Sequence, residues 1–203
     1  MKRMAGILLV FLCGTLGAAV ALAQDAALGL VKETSERMLE VLEDRQIQIE
    51  REPQLLYGFV EEIVLPHFDF ERITRSAVGR YWRQASPGQR RGLIEEFRQV
   101  LVRTYATALT SYSGQTIRYL PLKEGQGADR VTVPTQIRNP GGSQISVDYR
   151  LYQQDDRWKV YDVVIDNVSL ASNYRSSFAT VIRSAGIDGL IARLAQKNAS
   201  GQG

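Results

Sequence analysis

Apolar residues recur along this chain at two spacings, helical in the first part and alternating later. From Asp25 to about Gln48, Leu28, Val31, Met38 and Leu42 fall at helical spacing with Leu30, Leu39 and Val41 beside them. Lys32, Glu33, Glu36, Arg37 and Glu40 lie between them, so an amphipathic helix with a solvated face is predicted. Pro53 is placed to open a second helix carrying Leu55, Leu56, Phe59, Val60, Ile63 and Val64, and Pro66 to end it. Asp69 is placed to cap a short helix that stops at Gly79. Ser86-Pro87-Gly88-Gln89 is a capping-box start, and the long helix behind it aligns Leu93, Phe97, Leu101, Tyr105, Leu109 and Tyr112. Several helical segments therefore precede any strand.

Beyond Gln115 alternation takes over. Gln115–Lys123 and Arg130–Arg138 read as strands, with Pro121 and Pro134 marking edge positions or bulges. Asn139-Pro140-Gly141-Gly142 is a turn leading into a hairpin of Ile145–Leu151 and Trp158–Asp166 around Asp155-Asp156. With Tyr149 opposite Val163, Val147 meets Ile165, Leu151 meets Tyr161, and Arg150 meets Asp162 on the other face. A slip of one residue loses both the apolar and the charged match. The simplest topology is a four-stranded antiparallel meander. After the Asp166-Asn167 turn, Leu170–Ser184 is helical, Gly186 stops it, and Asp188 is placed to cap a last helix with Leu190, Ile191 and Leu194. Helices, a sheet and helices again make an α+β domain.

The N-terminus changes how the composition is read. Lys2 and Arg3, an apolar run from Ile7 to about Val20, and Ala21-Leu22-Ala23 form an export signal with cleavage expected after Ala23. The run is shorter than the roughly 20 apolar residues of a membrane span. Cys13 follows Leu12, not the small residue of a lipoprotein signal. Cleavage would leave a single domain, 24–203, without its one cysteine, which excludes thiol catalysis and disulfides there. It would also remove Lys2 and Arg3, taking 25 basic residues to 23 against 22 acidic, a net charge of +1. Such a charge offers no large field for nucleic acid.

Reactive groups are sparse. His67 is the only histidine and stands between Pro66 and Phe68, which favours a structural role over a base or ligand. Neither a Gly-x-Ser-x-Gly elbow nor a phosphate-binding GxxxxGK loop occurs. Asp148, Asp162 and Asp166 are better explained by the Arg150 pair and the turn than as an acid–base group. Arg90, Arg91, Arg98 and Arg103 sit off the apolar stripe of the long helix, either as a solvated face or as a docking surface for acidic groups. No catalytic or metal-binding residue is assigned. Periodicity leaves open whether the hairpin's apolar face is covered by the protein's own side chains or by a bound apolar molecule.

The residues also carry a likeness. Leu65-Pro66-His67-Phe68-Asp69-Phe70-Glu71-Arg72-Ile73, Gly79-Arg80-Tyr81-Trp82-Arg83-Gln84-Ala85, Tyr112-Ser113-Gly114-Gln115, Trp158-Lys159-Val160-Tyr161-Asp162-Val163 and Gly186-Ile187-Asp188-Gly189-Leu190 resemble the MlaC/toluene-tolerance (Ttg2-type) family. So do Arg103-Thr104-Tyr105-Ala106, Val168-Ser169-Leu170 and Asn173-Tyr174-Arg175-Ser176; Asn167 departs from the family's usual glycine. The resemblance implies a periplasmic, monomeric phospholipid carrier with no enzymatic activity and no cofactor, its acyl chains in an apolar pocket and its headgroup at the mouth. It implies transfer between an outer-membrane lipoprotein–porin complex and an inner-membrane ABC transporter complex with its substrate-binding domain protein, which maintains outer-membrane lipid asymmetry. The sheet wall of that pocket is then expected from Val133, Val147, Tyr149, Leu151, Tyr161, Val163 and Ile165, and the helical wall from Leu101, Tyr105, Leu109, Tyr174 and Phe178. The alternatives are a periplasmic hydrolase on a similar fold and a structural adaptor with a solid core.

Overall fold

Most punctuation residues act where the sequence places them. The computed structural model describes residues 13–122, 127 and 129–200. Helix α1 spans Cys13–Asp44, so part of the expected export signal continues into it, while residues 1–12 lie outside the described residues. A short α2, Gln46–Arg51, and α3, Leu55–Phe59, follow. Pro66 does not end α3 cleanly. The chain first widens into a π-helical turn at Val60–Val64, where Leu65 N donates to Val60 O, then tightens into a 3-10 turn at Leu65–His67. A proline ahead withholds the donor that an α-helical continuation needs, and the wide turn absorbs the mismatch.

Helix α4, Phe70–Val78, is capped by Asp69, whose side chain accepts from Arg72 N at 2.9 Å, and stops at Gly79 with φ 63°. Helix α5, Pro87–Leu109, begins with the expected reciprocal cap: Gln89 N donates to Ser86 Oγ and Ser86 N to Gln89 Oε1. Helix α6, Leu170–Ala199, is two helices joined at a kink where Gly186 takes φ 73° and ψ −177°. Asp188, expected to cap the second part, accepts from Gln89 Nε2 and ties that part to the start of α5.

The sheet has five antiparallel strands in order β1-β2-β3-β4-β5, not four. They are β1 Thr116–Tyr119, β2 Arg130–Arg138, β3 Gln144–Gln154, β4 Arg157–Ile165 and β5 Val168–Ser169. The added strand arises because Asp166 and Asn167 both adopt positive φ, 45° and 66°, and fold Val168-Ser169 back onto β4. Pro134 O accepts from Leu120 N, so its nitrogen faces β1 and the missing N–H ends that ladder.

The expected hairpin register holds for Val147–Ile165, Tyr149–Val163 and Arg150–Asp162 and then breaks. Leu151 pairs with Val160, not Tyr161, because a bulge inserts Tyr161 as an unpaired residue. Its cause lies outside the hairpin. Phe68 bridges to Val160 in parallel and Asp69 N donates to Val160 O at 2.8 Å, which draws that residue onto the chain ahead of α4.

Candidate binding site

Alternation from Tyr149 places Val133, Tyr149 and Val163 in one row across the sheet and Val131, Leu151 and Val160 in the next. Buried Ala27 and Val31 of α1 pack on this second row together with Trp158. That end of the sheet face is therefore closed by the protein's own helix. Toward the other end, Tyr149, Val163 and Ile165 are only half-buried.

The helical side forms two further clusters. Leu101 and Phe178 are buried in one, with Tyr105 and Tyr174 packed against it. Phe97 meets Tyr174 and Phe178 edge-on at centroid distances of 4.9 and 5.0 Å. Leu109 instead joins the cluster of Met38, Leu42, Ile49 and Leu56 beneath the α1–α3 corner. Nine of the twelve expected wall residues are distributed over three apolar clusters, where one contiguous core is usual for a domain of this size, while Val147, Tyr161 and Ile165 join none of them. Half-buried Phe68 packs against both the α4–α6 cluster and the sheet cluster.

One placement changes. Tyr161, on the bulge, turns to Tyr152 at 6.0 Å edge-on, and Val160 takes its expected place beside Leu151. Val147 is 6 % exposed and pairs with Thr135, whose hydroxyl donates to Val147 O. Sequence reading missed Val160, Phe68 and the α1 residues Ala27 and Val31. A hydrophobic stripe in α1 was visible, but nothing in it named the sheet as its partner.

Tyr149 is the most informative group. The residue is half-buried, and burial is the main cause that pushes its hydroxyl up to about 12. No hydrogen-bond partner meets that hydroxyl among the described residues. The hydroxyl oxygen is not fully enclosed, so water or a ligand can reach and satisfy it. Burial is also the leading cause of the raised hydroxyls of Tyr105 and Tyr174 across the interior, and of Tyr119 in the sheet. An apolar surround with a few phenol donors suits a guest that is mostly hydrocarbon with a few acceptor oxygens.

Charged groups near the site serve the scaffold. Asp162, 7 % exposed, accepts from Arg150 Nη1 at 3.1 Å, Ser169 Oγ at 2.8 Å and Ala171 N at 3.4 Å, joining β3, β4, β5 and α6. Asp166 accepts from Ser146 N. Asp69 bonds the Tyr152 hydroxyl, and Arg72 lies 3.5 Å over the Tyr152 ring. Arg98 pairs with Glu61 and Glu95, and Arg90 donates to Trp82 O, so these two members of the α5 basic face are engaged within the protein. His67 is half-buried, its pKa lowered by burial and then by Lys159. No group of His, Cys, Asp and Glu suited to a metal ion occurs among the described residues.

Helices packed on a five-stranded antiparallel sheet, with α1 against one end of its apolar face, define an α+β domain. The chain belongs to the MlaC family, whose model matches residues 32–196. It is 25 % identical over 199 residues to the intermembrane phospholipid transport system binding protein MlaC of Haemophilus influenzae, covering 97 % of this chain and 93 % of the relative. It is 28 % identical to toluene tolerance protein ttg2D of Pseudomonas putida, over 78 % of this chain and 74 % of the relative. A phospholipid-binding protein from Ralstonia solanacearum, solved in complex with a phospholipid, superposes with a TM-score of 0.80 at 31 % identity, covering 87 % of this chain and 99 % of the other.

Proposed function

We propose that this protein is an exported, monomeric carrier of glycerophospholipid that performs no chemistry on its cargo. The observation that carries the proposal is its match, over 87 % of the chain, to a protein solved with a phospholipid bound. The half-buried face around Tyr149 and Val163 supports it from within the molecule. In this reading the acyl chains lie between that face and the Leu101, Tyr105, Tyr174 and Phe178 side of α5 and α6, and the headgroup stays at the mouth.

Two acyl chains of about 16 carbons carry on the order of 25 kcal/mol of transfer free energy at roughly 0.8 kcal/mol per CH₂. Unescorted passage through an aqueous compartment is correspondingly slow, and a carrier removes most of that penalty by lining a pocket with aliphatic and aromatic groups. The route we assign runs through the periplasm between an outer-membrane lipoprotein–porin complex and an inner-membrane ABC transporter complex with its substrate-binding domain protein. Its outcome is the maintenance of outer-membrane lipid asymmetry.

The test is mass spectrometry of an organic extract from protein produced by export in a Gram-negative host. Phospholipid in near-stoichiometric amount is expected. An extract with no lipid from folded protein would overturn the reading in favour of a solid-cored adaptor.

A further inference from the structure

The second face of the sheet, opposite Tyr119, Thr135 and Val133, carries at its β1 edge a polar cleft of about 320 Å³ lined by Thr116, Ile117, Arg118, Gln136, Arg138 and Gln144. Strand alternation places Thr116, Arg118, Gln136 and Arg138 on this face, with Gln144 paired to Arg138 from β3. Charge pairing there differs from that at Arg150, further along the same face. Arg150 is matched across the strands by Asp162 at 3.1 Å. Arg118 stands opposite Gln136, and Arg138 stands between Thr116 and Gln144. Among the described residues neither arginine has a carboxylate within 4.0 Å.

Two cations on diagonal positions of adjacent strands repel one another, and neutral cross-strand neighbours do nothing to offset that. The arrangement becomes favourable when an anion lies between them. The neighbouring turn helps to hold the geometry: Asn139 N donates to Ser143 O, Asn139 Nδ2 to Ser143 Oγ and Gly142 N to Asn139 O. Arg138 and Gln144 flank this braced turn and enter their strands from it. Guanidinium groups present planar forks that match phosphate oxygens, and the side-chain amides and the Thr116 hydroxyl add neutral donors around them.

We propose that this cleft is an oxyanion site for a phosphate-type group, with Arg118 and Arg138 as its charged donors. The site is separate from the apolar face assigned to the acyl chains and does not depend on that assignment. Its ligand is either free phosphate or the phosphate of an anionic lipid headgroup at a membrane surface.

The experiment compares wild type with Arg118→Gln, Arg138→Gln and the double variant, all at exposed positions, with folding checked by circular dichroism and thermal melting. In one arm inorganic phosphate is titrated at constant ionic strength against chloride, and amide NMR shifts of residues 116–118, 136 and 138 are followed. In the other, co-sedimentation is measured with vesicles of phosphatidylglycerol and phosphatidylcholine and with phosphatidylcholine alone. Each substitution is expected to weaken binding about tenfold, as loss of one charge-assisted contact does. Binding in the phosphate arm identifies a free oxyanion; binding confined to phosphatidylglycerol vesicles identifies the headgroup. If neither arm separates wild type from the double variant, the proposal fails. It also fails if the double variant loses its co-purified lipid, because the cleft would then belong to the carrier's own pocket.

Discussion

Tyr149 tests how far burial desolvates the hydroxyl of a half-buried residue. Burial favours the neutral phenol and raises it from 10.0 to about 12. The folded protein therefore keeps this proton to a higher pH than the unfolded chain. The resulting stability is complete below pH 10 and is lost as the pH rises toward 12. At about 1.4 kcal/mol per pH unit, roughly half of a total near 2.7 kcal/mol has gone by about pH 11. Tyr149→Phe removes the titration while keeping the ring, so its stability should lack that component. Urea unfolding of both proteins at pH 9 and at pH 11 reads the difference, with wild type expected to lose about 1.4 kcal/mol more than the variant. Equal losses would mean that the Tyr149 hydroxyl is as well solvated in the folded protein as in the unfolded chain, and burial would no longer account for its raised value.

Three other perturbations test different parts of the structure. Asp162→Ala strands the Arg150 guanidinium and frees Ser169 Oγ and Ala171 N at the start of α6. Because Arg150 remains part-exposed, a loss of about 2–3 kcal/mol in chemical denaturation is expected, and a change below about 0.5 kcal/mol would remove this junction from the account. Gly79→Ala places a side chain at φ 63° with Arg175 atoms no nearer than 3.8 Å, so the cost is backbone strain of about 1–3 kcal/mol with no steric clash; a melting temperature equal to wild type would contradict it. Val163→Asp puts a carboxylate on the half-buried face and should lower extractable phospholipid per folded protein several-fold. Unchanged lipid in folded variant would show that the guest lies elsewhere.

Local signals were legible wherever one or two residues decide a conformation. The Ser86–Gln89 box, the Asp69 cap, the stop at Gly79, the kink at Gly186 and the left-handed Asp166-Asn167 turn follow from hydrogen-bonding groups and φ preferences that neighbours along the chain supply. So does the hairpin register through Arg150–Asp162, because a one-residue slip turns every side chain to the wrong face. The family likeness was legible for a related reason, since short motifs at those same caps and turns carry it.

What sequence alone determined, then, is an α+β order of elements, the faces they bury and the absence of an obvious reactive constellation. Tertiary structure decided the rest. The bulge at Tyr161 answers to Phe68 and Asp69, far earlier in the chain. Covering the Leu151 end of the sheet falls to Ala27 and Val31, while Tyr149 and Val163 are left half-buried. The α5 stripe is divided, with Leu101 and Tyr105 in one cluster and Leu109 in another. Periodicity states which side of an element is apolar and says nothing about what stands opposite. Burial is a property of two surfaces, and the second is chosen only when the chain closes on itself.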